Sequence, residues 1–117
     1  MSQRERKLFL WDILEAGSEI LRFTEGKDFA AYQQDSMLRA AVERKFEIIG
    51  EALSQAIRLY PSLREEIDAS QQIIAFRNRL IHGYLALDDN LVWSVVQVYL
   101  PPLVRQVKML LPDENAS

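Results

Sequence analysis

Residues 35–59 read DSMLRAAVERKFEIIGEALSQAIRL, the clearest amphipathic pattern in the chain. Apolar side chains recur there every three or four residues, at Leu38, Val42, Phe46, Ile49, Leu53 and Ile57. This spacing places them on one face of an α-helix. Asp35 or Ser36 supplies an N-cap oxygen, and Pro61 cannot continue the helix. We therefore predict one long helix with a single buried face.

Weaker patterns of the same kind flank this stretch, and no alternating strand pattern competes with them. Helices are predicted at about 4–24, 35–59, 70–82 and 89–111, with room for one further helical turn in the 62–68 connector. Gly26 and Gly83 are predicted stops, Asp88, Asp89 or Asn90 caps the last helix, and Pro101-Pro102 bends it. The last helix should bury Leu91, Val95, Val98, Leu103, Val107 and Leu110. Short connections between helices predict an all-α, antiparallel bundle of four helices, or up to five.

Length and composition indicate one helical domain in residues 1–117, with a core at about 4–111 and a flexible tail at 112–117. No apolar run is long enough to span a membrane, and the charged N-terminus lacks a secretory apolar segment, so we expect a cytoplasmic protein. The chain has no cysteine and one histidine. This excludes disulfides and thiol catalysis, and leaves little for a transition metal, so no metal and no cofactor are expected.

The segment RNRLIHGY, residues 77–84, gathers the polar groups most suited to chemistry. It contains His82, and histidine is the only side chain type whose ordinary pKa lies near neutral pH. Two interpretations are open. Arg and His at the end of a helix can cap its last carbonyl groups, or they can form a catalytic site.

Helical geometry complicates the catalytic interpretation. Arg77 and His82 lie about 140° apart around one helix, whereas Asn78 and His82 share a face. Gly83 permits a left-handed turn that would bring Tyr84 back toward the helix end. A two-fold dimer would bring Arg77 of each chain near a His82.

The motif resembles the signature of HEPN-domain proteins, in particular the HepT-like toxin branch. RKFEIIGEA (44–52), LVW (91–93) and LPPL (100–103) resemble further helices of that branch. The resemblance implies a HEPN-like bundle and metal-independent RNA cleavage through the 2′-hydroxyl, in a cleft between two protomers. It also implies the toxin role of a type VII toxin–antitoxin system, in which an MNT-type nucleotidyltransferase silences the toxin by adenylylating Tyr84. RNA, that antitoxin and a second copy of the chain are the expected partners; DNA and membranes are not.

Specific roles follow from that implied reaction. His82 would act as the acid/base, and the Arg77 guanidinium would hold phosphoryl oxygens in the transition state. Asn78 would orient His82 or donate to phosphate. Arg79 would face solvent or bind a flanking phosphate. Tyr84 could instead simply pack at the helix end with its hydroxyl in water.

Several features keep alternatives open. Gly50 allows close packing of helices within the chain or across a dimer axis. Arg39, Arg44 and Lys45 could extend a basic patch, although Glu43, Glu47 and Glu51 offset it, and a solvated face with ion pairs is simpler. Structural roles are assigned to Phe9, Trp11, Phe46, Phe76 and Trp93.

The net charge of −3 opposes extended RNA contacts. A catalytically idle RNA- or nucleotide-binding subunit and a structural helical adaptor are therefore the alternative functions.

Overall fold

All regular structure in the described residues, 3–83 and 88–112 of this computed structural model, is helical. The elements in chain order are α1 (Gln3–Thr24), α2 (Phe29–Gln34), α3 (Ser36–Leu59), α4 (Leu63–Glu66), α5 (Ser70–His82), α6 (Asp89–Ser94), a π-helical segment (Val95–Tyr99) and α7 (Leu100–Leu110). The predicted all-α class is confirmed. Tyr84 and nearly all of the predicted tail, residues 113–117, lie outside the described residues.

The long helix α3 forms the centre of the bundle, as its pattern predicts. All six of its predicted core residues are buried. The Asp35 carboxylate caps the helix by accepting a hydrogen bond of 3.0 Å from the Leu38 N–H. Helices α1 and α5 both pack along α3, and α7 packs on α1. A 3.0 Å ion pair between Lys45 and Glu19 fixes the antiparallel register of α1 against α3.

Helix α2 was not predicted from the sequence. The Asp28 side chain caps it by accepting from the Ala31 N–H at 2.8 Å. Tyr32 is fully buried, and its ring centroid lies 5.3 Å from that of Trp93. A helix of six residues makes fewer than two turns, so its one buried side chain leaves no periodic stripe to recognise.

The last helix contains a π-helical turn that changes which residues it buries. The Leu100 N–H donates to the Val95 carbonyl, five residues back. This turn directly precedes Pro101 and Pro102, which lack N–H groups. The extra residue rotates everything that follows. Val98 is consequently 57% exposed, and its predicted place in the core is wrong. The buried residues after the turn are Leu100, Leu103 and Val107, in phase with Val96.

The two predicted glycine stops behave differently. Gly26, just past the end of α1, adopts a φ of 73°, the left-handed conformation that glycine tolerates. Gly83 does end α5, but its φ is −81°, so the predicted left-handed turn toward Tyr84 is wrong. Gly83 therefore takes a backbone conformation open to any residue.

The aromatic side chains have mainly structural roles. Phe46 and Phe76 are buried between α3 and α5 in an edge-to-face contact, with centroids 5.1 Å apart. Trp11 differs, since it is 41% exposed on α1 and so does not belong to the core. Among the helices of the described residues, none is both long enough and apolar enough to cross a membrane.

Candidate active site

The motif residues lie at the C-terminal end of helix α5, after the buried residues Ile73 and Phe76. Asn78, Arg79 and His82 are exposed, whereas the Arg77 side chain is only 13% exposed. Arg77 is therefore part of the packing between α5 and α3, although its guanidinium is permanently charged.

Gly50 on α3 makes room for Arg77. A Cβ placed on Gly50 would overlap the Cβ and Cγ of Arg77 and would lie 3.2 Å from Nε. The close approach is thus within one chain, which supports the simpler interpretation of Gly50. Because Arg77 covers this buried glycine, the alternative of a close approach across a dimer axis at Gly50 is wrong.

Two side chains fix the Arg77 guanidinium above this glycine. Nη2 donates to Oε2 of Glu51 at 2.5 Å, and Nη1 donates to Oδ1 of Asn78 at 3.0 Å. The other Glu51 oxygen accepts from the Gln55 side chain at 2.7 Å. Arg77 thus donates to side-chain oxygens, which argues against helix capping as its role.

Two N–H donors of Arg77, one on Nη1 and one on Nη2, remain for a ligand. Its Nε is buried and has no hydrogen-bond partner in the described part of the chain. A guanidinium has five N–H donors, of which Glu51 and Asn78 occupy two. The arrangement holds an oriented donor fork near the protein surface.

His82 stands apart from this cluster. Within residues 3–83 and 88–112 its imidazole makes no hydrogen bond or ion pair, and its side chain is exposed. Asn78, the residue predicted to orient it, binds Arg77 instead. A single chain therefore orients the Arg77 guanidinium but gives the His82 imidazole no partner among the described residues. This agrees with the separation of about 140° between the two residues around α5. No group of three or more acidic, histidine or cysteine side chains in the described residues is placed to hold a metal.

Comparison with known proteins identifies the family of this chain. Residues 13–110 match the family "Ribonuclease HepT-like". The chain belongs to the HepT-like ribonuclease family. It is 36% identical to "Putative RNase MJ1380" of Methanocaldococcus jannaschii over 94% of this chain and 100% of that protein. It is 34% identical to "Probable ribonuclease HepT" of Thermococcus cleftensis, over 86% and 91%. No solved structure matches.

The candidate basic patch of this HepT-like chain is largely neutralised. Arg44 pairs with Glu47 at 3.7 Å, Lys45 pairs with Glu19, and Arg39 donates to the Gln33 carbonyl. These three cations are thus already engaged within the chain. Their predicted role in extending an RNA-binding surface gains no support from the structure.

An acidic pair lies where α6 begins, beside α3. Burial raises the pKa of the Glu43 carboxyl, and the nearby Asp89 carboxylate raises it further, while Arg39 lowers it. Burial likewise raises the pKa of the Tyr32 phenol, which Glu43 and Asp89 also surround with negative charge. The N-terminal part of α3 is therefore unfavourable for phosphate.

Sequence reasoning missed Glu51 as a site residue. Its charge suggested one more member of a solvated face, and its side chain is indeed 57% exposed. The only signal was its position next to Gly50 inside the segment that resembles the family. The ion pair to Arg77 depends on the antiparallel docking of α5, which local periodicity does not encode.

Proposed function

We propose that this protein is the ribonuclease toxin of a HEPN/MNT pair and cleaves RNA without a metal. The single observation that carries the proposal is the fixed Arg77 guanidinium, held by Glu51 and Asn78 above Gly50 with donors left over. A structural adaptor has no use for an oriented, partly desolvated guanidinium on the same helix as an exposed imidazole. Membership of the HepT-like ribonuclease family supplies the reaction class.

The proposed reaction is an internal transesterification. The RNA 2′-oxygen forms a bond to the adjacent phosphorus, the bond from phosphorus to the 5′-oxygen breaks, and a cyclic phosphate and a 5′-hydroxyl result. An imidazole removes the 2′-hydroxyl proton, and a protonated imidazole returns one to the leaving oxygen. His82 is the only histidine in the chain, and imidazole is the side-chain group whose chemistry suits both steps at neutral pH.

Arg77 stabilises the charge that develops on the phosphoryl oxygens. Its free N–H groups donate to these oxygens while Glu51 and Asn78 keep the fork in place. Glu51 is a positioning residue in this scheme, because it acts on the phosphate only through Arg77.

Assembly completes the site. Arg77 and His82 point from different faces of α5, so a two-fold dimer that sets two α5 helices side by side combines Arg77 of one chain with His82 of the other. The dimer then holds two such pairings, and in each the one His82 takes the 2′-hydroxyl proton as the base and, once protonated, returns a proton to the leaving oxygen. We place this homodimer in the cytoplasm.

Regulation is proposed to act at Tyr84, which follows α5 by two residues. Adenylylation by an MNT-type nucleotidyltransferase would add a phosphodiester, and its negative charge would compete with RNA phosphate for Arg77. Arg79, exposed on α5, is the remaining candidate for a flanking phosphate contact.

The experiment that tests the function uses purified wild type and His82→Ala with a mixed pool of small RNAs in chelator. Cleavage and end chemistry are read together. Wild type should produce cyclic phosphate ends, and the variant should produce none while remaining folded. RNA binding without cleavage, by dimeric wild type that is unmodified at Tyr84, would instead identify a catalytically idle RNA-binding subunit.

A further inference from the structure

A second basic feature lies in the groove between α3 and α5, on the other side of Ile74 from the motif. The groove has a volume of about 460 Å³. Arg58 from α3 and Arg64 from α4 line it, together with Ser54, Ile57, Gln71 and Ile74. No acidic side chain lines this groove. It is therefore a locally positive site on a chain whose net charge is −3.

The two arginines are unpaired. Both are exposed, and within the described residues neither guanidinium makes a hydrogen bond or an ion pair. Some other cations of the bundle have carboxylate partners, among them Arg6 with Glu66 and Lys45 with Glu19. Arg58 and Arg64 thus keep their full donor capacity for an anion.

The groove is continuous with the candidate active site. Arg58 lies eight residues beyond Gly50 on α3, or about 12 Å along the helix axis. On α5, Gln71, Asn78 and His82 fall within about 40° of one another around the helix. Gln71 lines the groove and is exposed, as are Asn78 and His82. One side of α5 therefore runs from the groove to the motif.

We propose that Arg58 and Arg64 bind the backbone phosphates of the substrate RNA strand, away from the cleaved bond. This inference rests on the proposed ribonuclease function. A spacing of about 12 Å corresponds to roughly four nucleotides of a stacked strand at about 3.4 Å each. Such contacts hold the strand in register without reading its bases. They also explain how an acidic protein can bind RNA, since this groove has two unpaired guanidinium groups and no acidic lining.

The test measures RNA binding by the full chain in a non-cleaving His82→Ala background. Arg58→Gln and Arg64→Gln are compared with Lys27→Gln as a matched control. Lys27 is an exposed cation after α1, and because α1 runs antiparallel to α3 it lies at the opposite end of the bundle from Arg58. Fluorescence anisotropy over a salt series is recorded with single-stranded RNAs of about four and about twelve nucleotides, lengths chosen from the stacked-strand spacing.

Each arginine variant should bind the longer RNA several-fold more weakly than the control, and the slope of log affinity against log salt should fall by roughly 0.7. Binding of the shorter RNA should not change. In the cleaving background, KM for the longer RNA should rise while kcat stays constant. Arginine variants that bind the longer RNA as the control does, in a protein that still cleaves RNA through His82, would overturn the groove assignment alone. A wild type that neither binds nor cleaves RNA would overturn the proposed function and this inference with it.

Discussion

Arg77 on α5 crosses α3 directly over Gly50, at a point where any larger residue would overlap its Cβ and Cγ. The contact explains a glycine in the interior of a 24-residue helix, where it costs about 1 kcal/mol relative to alanine. In exchange, the glycine leaves room for the Arg77 side chain to lie against α3. Gly50 and Glu51 are consecutive residues, so one turn of α3 both makes room for the Arg77 side chain and binds its guanidinium.

Gly50→Ala should therefore reduce activity by displacing Arg77. The new methyl group forces the two helices apart, at a cost of about 1–3 kcal/mol for overpacking, partly offset by the better helix propensity of alanine. RNA cleavage and urea unfolding measure the two effects. Gly26→Ala is the matched control, because its positive φ makes alanine strained far from the site. A Gly50→Ala enzyme with wild-type kcat would show that catalysis does not depend on the close packing of Arg77 against Gly50.

Glu51→Ala should lower kcat by roughly a hundredfold, since a misplaced catalytic group costs about that much. KM should change little, because Arg77 remains and keeps its charge. Glu51→Gln retains an acceptor for Nη2 and should recover part of the loss. Glu47→Ala, on the same helix but paired with Arg44, controls for charge removal. A rise in KM with unchanged kcat would rule out the positioning role.

Mixing two inactive variants tests the shared cleft. Arg77→Ala and His82→Ala chains, unfolded together and refolded as an equal mixture, should form hybrid dimers with one intact pairing of Arg77 and His82. Activity should then return to about a quarter of wild type, since half of the dimers are hybrids with one of two sites restored. Hybrid dimers that are detected by mass but remain inactive would place both groups of the site in one chain.

Glu43 should make stability depend on pH. Its pKa is raised in the folded protein from the ordinary value of 4.5, chiefly by burial, so the folded state binds more protons than the unfolded state in the window above 4.5. The charged carboxylate is therefore destabilising at pH 7, and this penalty is lost as the pH falls through the folded pKa. Glu43→Gln should raise the free energy of unfolding at pH 7, by an amount that shrinks toward pH 4.5.

Urea unfolding at several pH values measures this difference. Glu65→Gln, an exposed carboxylate on α4, serves as the control. If Glu43→Gln destabilises the protein at pH 7, the favourable interaction with Arg39 outweighs burial, contrary to the expected sign.

The sequence by itself determined the all-α class, the α3 core stripe, the Asp35 cap and the motif at the end of α5. These features are local: periodicity and capping depend on residues within a few positions of one another. The resemblance of short segments also identified the family, because these segments carry residue types in a fixed order.

Only the tertiary structure decided which groups meet. The ion pair of Glu51 with Arg77 joins residues 26 positions apart, and it exists because α5 docks antiparallel on α3 over Gly50. The exposure of Val98 likewise depends on a π turn that shifts the phase of the last helix. Arg58 and Arg64 look like ordinary surface charges in the sequence, and they share a groove only because α4 folds back beside α3. Contacts between elements depend on docking geometry, and a one-dimensional pattern does not contain it.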